Sequence, residues 1–199
     1  MYREFQSLVE NRRSIYGLSD DTSVDSGKIA ELVRHSIRHA PSAMNSQSAR
    51  TVILFGDHHK KLWNLTKEIL RKLVPAESFQ QTEKKIDSFS AGAGTVLFFE
   101  DRSVVENLQK QYPLYADNFQ PWALEASGML QYIVWTALSA SGLGASLQHY
   151  NPLIDDNVRR EWNIPDNWKL VSEMVFGKPV AEPSEKKFLP VEERVLVFD

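Results

Sequence analysis

Residues 126–154 hold 29 consecutive positions without Asp, Glu, Lys or Arg, and no other feature limits so strongly what this chain can fold into. A membrane span needs about 20 predominantly apolar residues. Gln131, Thr136, Ser139, Ser141, Gly142, Gly144, Ser146, Gln148 and Pro152 leave no such window, so no membrane association is expected. The stretch overlaps a helix that the pattern places from Asn118 to Ser141, where Trp122, Leu124, Met129, Leu130, Ile133, Val134, Trp135 and Leu138 cover more than one face. A helix apolar on all sides must be covered on all sides. One core of a 199-residue chain rarely encloses a helix completely, and a subunit interface is the natural second cover. A homodimer is therefore expected.

Around this helix the pattern alternates. Phe5, Leu8 and Val9 recur at helical spacing and predict a short first helix ending at Arg12-Arg13-Ser14. A second helix spans about Ser26 to Ile37, with Ile29, Leu32, Val33 and Ile37 on one face, and Pro41 closes it. Thr51–Phe55 reads as a buried strand leading into a helix from His58 to Leu73. Gly94–Phe99 is a second strand, bounded by Glu100-Asp101, and a polar helix or turn follows to Gln111. Leu170–Phe176 is a third, ending at Gly177. In the tail, Val195-Leu196-Val197-Phe198 is strand-like and needs a sheet edge, its own or a partner's. With no repeat and no low-complexity linker, residues 1–199 read as one α+β domain in which helices outnumber strands. Met1 is followed by the polar run Tyr2-Arg3-Glu4-Phe5-Gln6 instead of an apolar leader, which predicts a cytoplasmic protein.

Composition removes several chemistries. The chain carries 23 Lys+Arg against 26 Asp+Glu, a net charge of −3, without the basic excess a nucleic-acid binder needs. It has no cysteine, which rules out thiolate nucleophiles, thiolate zinc sites and iron–sulfur ligation. Gly92-Ala93-Gly94 precedes a strand, whereas a dinucleotide-binding glycine loop follows one. His35 and His39 lie four apart on one helix, but no third ligand stands at readable spacing, so no metal is expected. His58 and His59 sit at a helix start and are expected to face solvent.

Three polar clusters remain. Arg12-Arg13-Ser14 offers two guanidinium forks and a hydroxyl, suited to a phosphate and equally to capping a helix C-terminus. Ala40–Arg50 gathers Ser42, Asn45, Gln47 and further hydroxyls in a loop between a helix and a strand. It is a turn by composition, and its amides also match a flat ring whose edge alternates C=O and N–H groups. Gly142-Leu143-Gly144-Ala145 with Leu147-Gln148-His149 brings flexible backbone to the end of the apolar helix, for close approach to a ligand or to cap that helix. Tyr112-Pro113-Leu114-Tyr115 with Phe119 and Trp122 either walls a pocket or packs a helix start.

An Arg-Arg-Ser near the N-terminus, a Pro-Ser-x-x-Asn-x-Gln loop entering a strand and a Gly-Leu-Gly-Ala turn after a buried helix, in this order, resemble the FMN-dependent nitroreductase family over nearly the whole chain. His39-Ala40-Pro41-Ser42 through Ser48, Leu62-Trp63 and Leu147–Pro152 resemble its small branch of fungal fatty-acid-repression and bacterial stress-induced nitroreductases. The resemblance implies a mostly antiparallel central sheet flanked by helices, a homodimer and a domain-swapped C-terminal tail. It implies FMN, held at its phosphate and ribityl chain by Arg12, Arg13 and Ser14, with Lys187 and Arg194 completing the phosphate site. Ser42 and Asn45 would reach the isoalloxazine across the dimer interface, Gln47 matches the flavin-binding amide that follows them, and the backbone of Leu147, Gln148 and His149 would approach flavin N5. The implied activity is ping-pong reduction of nitroaromatics or quinones by NAD(P)H through N5, with no catalytic side chain; if the aromatic run walls the pocket, Tyr115, Phe119 and Trp122 are its substrate contacts. The alternative is a non-catalytic FMN-binding redox or regulatory protein linked to lipid or stress responses. Two positions depart from the family pattern: Ser48-Ala49 stands where many relatives carry Pro-Trp, and Tyr16 where many carry lysine.

Overall fold

All eight residues of the strand β3 (Gly94–Asp101) are buried, so this strand has protein on both faces. The computed structural model describes residues 1–198. β3 pairs antiparallel with β2 (Ala49–Phe55) on one side and with β5 (Trp168–Pro179) on the other. β5 also pairs antiparallel with β1 (Leu18–Ser19) and β4 (Gly144–Gln148), which completes a five-stranded sheet with β2 at one end. Side chains of a strand alternate between faces, and β3 feeds two cores accordingly. Leu97 and Phe99 join Leu62 and Trp63 of α3 (Gly56–Arg71), Ile86 and Phe89 of α4 (Ala76–Ser90) and Val158 of α7 (Asp155–Trp162). Val96 and Phe98 join Ile29 and Val33 of α2 (Ser26–His39) and Leu130, Val134 and Leu138 of α6 (Ala116–Ala140). The sheet thus separates two helical layers, an α+β fold with an antiparallel sheet flanked by helices. The remaining helices are α1 (Tyr2–Asn11) and α5 (Arg102–Gln111).

Several expectations are corrected. Glu100 and Asp101 lie inside β3, 1% and 7% exposed. Gln120 Nε2 donates to both Glu100 carboxylate oxygens, and Asp101 pairs with Arg50 at 2.8 Å and caps α5 through Ser103 N–H. A buried charge is tolerated once it is hydrogen-bonded, and here the partners come from other elements. His59 is fully buried, with Nδ1 2.9 Å from Thr95 Oγ1, which also accepts from Trp63 Nε1 at 3.0 Å. Burial pushes its pKa down to about 4. Of the two edges open to Val195–Phe198, its own chain's is not used: the run is unpaired and exposed. Residues 76–90 and 155–162 form helices, and 144–148 a strand, where no such elements were predicted. Gly92-Ala93-Gly94 has a packing reason: a Cβ at Gly94 would meet the Phe176 ring and the Leu54 carbonyl.

Candidate functional site

The first half-site forms where α1 stops. Arg12 leaves the helix in an extended conformation, and its guanidinium lies on α6, 4.5 Å from the Trp135 ring centre and 5.8 Å from that of Tyr132. Stacking holds the guanidinium while its hydrogens seek acceptors. Arg12 Nε is buried with no hydrogen-bond partner among the described residues, and such a donor calls for a ligand or water. Arg13 donates to the Ser184 carbonyl and so ties the tail to the end of α1. The two arginines, Ser14, Lys186 and Lys187 line a cleft of about 370 Å³ that carries one carboxylate, Glu185. Four cations, a hydroxyl and an orphaned N–H are the donor set a phosphate monoester requires, so the residues present fit the phosphate of FMN. Arg194 caps the turn Val191–Glu193 and is not among the residues lining this cleft, where Lys186 stands.

Beside it runs β4. Ser14 bridges Ala145, and Ile15 N–H donates to the Ala145 carbonyl at 3.0 Å, so the arginine cluster and Leu147–His149 adjoin within one chain. Gln148 is buried and donates to Ser146 Oγ at 3.1 Å, Leu147 is half-buried and His149 exposed. Glu173, missed by sequence reasoning, sits opposite Gln148 on β5 and is fully buried. Its Oε2 accepts the Tyr150 N–H at 2.9 Å and fixes the end of this segment. Burial pushes the Glu173 carboxyl up to about 8, against the Tyr150 hydrogen bond and with help from the nearby Asp155 charge. The available signal was the one acid in β5.

The second half-site is the loop before β2. Met44, Asn45 and Gln47 all take positive φ, at 53°, 52° and 50°, a conformation that disfavours bulky side chains and marks stored strain. The surroundings hold it. Ser42 Oγ accepts from Gln47 N–H at 3.0 Å, and Arg50 Nη1 donates to the carbonyls of Gln47 and Ala49 at 2.8 and 2.9 Å. Arg50 is itself anchored by Asp101. Burial disfavours that carboxylate, but hydrogen bonds from Ser103 and Asn167 and the Arg50 charge outweigh it, and its pKa lies below the ordinary value. Ser42 and Gln47 line a cavity of about 430 Å³ between α2, β2 and Ala126 of α6.

The two clusters reach α6 at separate places. Ala126 and Trp135 are nine residues apart on α6, roughly 14 Å along the axis and about half a turn round it. Of the expected substrate contacts, Phe119 is buried against Val105 and Ala123 as α5–α6 packing, Trp122 packs edge-on to it at 5.3 Å, and Tyr115 is exposed. Leu124, Met129 and Tyr132 leave part of α6 open, at 47%, 42% and 39% exposure.

The model of the nitroreductase family matches residues 9–178. Nitroreductase FRM2 of Saccharomyces cerevisiae is 34% identical over 187 residues, 93% of each chain. Nitroreductase CinD of Lactococcus lactis, solved with chloramphenicol and with 4-nitrophenol, superposes with TM-scores of 0.91 and 0.90 at 44% and 45% identity, over 98% of this chain and 100% of that one. A putative nitroreductase of Exiguobacterium sibiricum, solved with FMN, shares the fold at 15% identity, with a TM-score of 0.72 over 98% of this chain and 97% of that one.

Proposed function

The chain belongs to the nitroreductase family, and from that premise we propose that it works as a homodimer, binding FMN between subunits and using NAD(P)H to reduce nitroaromatics or quinones in a ping-pong cycle. The observation that supports this reading is a pair of polar clefts, one reaching Ala126 of α6 and the other ending where Arg12 stacks on Trp135 about half a turn away. Their separation along and around α6 favours a cofactor held between two chains over one held within a single chain. The exposed Leu124, Met129 and Tyr132 supply an apolar face for that contact. β2 is an end strand of the sheet, and the unpaired Val195–Phe198 of the other subunit would cover its free side as a swapped tail.

In this reading FMN, when bound, supplies the electron chemistry, and the protein supplies grip, orientation and charge. Arg12 and Arg13 hold the phosphate, with Ser14 donating its hydroxyl and Lys187 adding charge. Ser42, Asn45 and Gln47 present amide and hydroxyl groups to the ring edge from the partner's loop, whose strained backbone is preset by Arg50. The backbone of Leu147–His149, fixed through Tyr150 and Glu173, faces the reacting edge of the ring. The 4-nitrophenol complex of CinD supports a small nitroaromatic acceptor. The test is steady oxidation of NADH and of NADPH by the FMN-loaded protein with a nitroaromatic and with a quinone, expected to give parallel double-reciprocal lines. FMN binding without turnover of either class would favour the regulatory alternative.

A further inference from the structure

Met44, Asn45 and Gln47 combine positive φ with exposure to solvent, so apolar burial does not hold this loop in its strained form. Hydrogen bonds do. Inside the loop, Asn45 N–H donates to the Ser42 carbonyl at 2.9 Å and Gln47 N–H to Ser42 Oγ at 3.0 Å. From outside it, Arg50 Nη1 donates to the Gln47 carbonyl at 2.8 Å, and Nη2 of the same fork rests on Asp101 Oδ2 at 2.8 Å. A guanidinium is planar and rigid, so the place of its second nitrogen decides where the first one points.

Asp101, at the end of β3, divides its two oxygens between two tasks. Oδ2 meets Arg50, while Oδ1 accepts from Ser103 N–H at 3.1 Å, from Ser103 Oγ at 2.6 Å and from Asn167 Nδ2 at 2.6 Å. The backbone adds a further tie, since Asp101 N–H donates to the Ser48 carbonyl at 2.9 Å. The carboxylate is thus fixed by α5 and by the residue before β5, and it faces the ring-side loop from a rigid strand end. We propose that Asp101 is a positioning residue for the flavin ring, acting through Arg50 to keep Ser42–Gln47 in the form that receives the ring. The proposal rests on the functional reading above for what the loop binds, and on this chain's own hydrogen bonds for what Asp101 holds. A carboxylate that served only to cap α5 would leave the loop indifferent to its charge.

Asp101→Asn separates the two tasks. Its amide oxygen can still accept from Ser103, while its NH2 group then faces the Arg50 guanidinium, donor against donor. Hydrogen–deuterium exchange of the full chain, before and after loading with FMN, reads the loop directly. Before loading, the amides of Asn45, Ser46 and Gln47 should exchange roughly tenfold faster in the variant, the size of one lost hydrogen bond, with no change in α5. Fluorescence titrations with FMN and with riboflavin should show both affinities falling by the same factor, again roughly tenfold, because the ring end is disturbed and the phosphate end is not. Ser103→Ala removes a bond to the other oxygen only and should change neither reading. Arg50→Lys offers one ammonium in place of the fork; it should reproduce Asp101→Asn and takes its place should that variant not fold. Unchanged loop exchange, unchanged flavin affinity, an equal effect from Ser103→Ala, or a loss confined to FMN each overturns the proposal. Should the wild type bind neither flavin, the cofactor reading fails, and the loop exchange alone decides what Asp101 holds.

Discussion

Alanine at both Arg12 and Arg13 is expected to weaken FMN binding by about 100- to 10,000-fold. Each guanidinium supplies a charge-assisted hydrogen bond worth about 1.5–3 kcal/mol, and about 1.4 kcal/mol is a factor of ten in affinity. Folding should change far less. α1 buries none of its residues, so its end can lose two side chains without opening the core; Arg12 gives up only its stacking on Trp135 and Tyr132, and Arg13 its tie to Ser184. Fluorescence titration with FMN, alongside a thermal melt, separates the two effects. Unchanged affinity would place the phosphate outside this cleft.

Replacing Glu173 by glutamine should flatten the alkaline side of the stability profile. The folded chain holds this carboxyl at about 8 against an ordinary 4.5 because burial penalises the charge. A pKa raised by folding means that the native state binds a proton the unfolded chain has released. Its stabilising contribution is complete below about pH 4.5, declines by about 1.4 kcal/mol per pH unit above that, and is lost as the pH passes about 8. At roughly 2–4 °C per kcal/mol for a chain of this size, the wild-type Tm should drop of order 5–10 °C between pH 6 and 8 through this group. Glutamine keeps an acceptor for the Tyr150 N–H and never ionises, so the variant should lose most of that slope. Asp155, also raised by burial, leaves a remainder in both proteins. His59 has the opposite sign: its lowered pKa gives stability present above about 6.5 and lost as the pH falls through about 4, which lies outside this window. Parallel Tm profiles for wild type and variant would show that Glu173 does not carry its proton in the folded chain.

The elements legible in the sequence are those whose pattern depends on near neighbours. The apolar period of Ile29, Leu32 and Val33 marks α2, and the apolar run from 94 to 99 marks most of β3. What escaped depends on distant partners. Glu100 and Asp101 look like the boundary of the strand until Gln120, Arg50 and Asn167 arrive from elsewhere in the fold. His59 looks exposed at a helix start until β3 places Thr95 against it. Short β4 carries glycine, serine and glutamine, which read as a turn, and only its ladder with β5 makes it a strand. Of the candidate site, local motifs identified Arg12, Arg13, Ser14 and Ser42 to Gln47. Glu173 and the anchoring role of Arg50 required the third dimension. Lys186 at the first cleft came from a tail without periodicity, where no local rule fixes the alignment.

A cofactor shared between two chains, each closing on it from one side, fixes both the mass of the flavin-bearing particle and its flavin content. Sedimentation velocity of the purified protein with FMN, followed at the flavin absorbance and at 280 nm, tests it in one measurement. A single boundary at twice the chain mass, carrying flavin at one per chain, is expected. Flavin sedimenting with a single chain, or a dimer boundary that leaves all flavin in the free fraction, would contradict it.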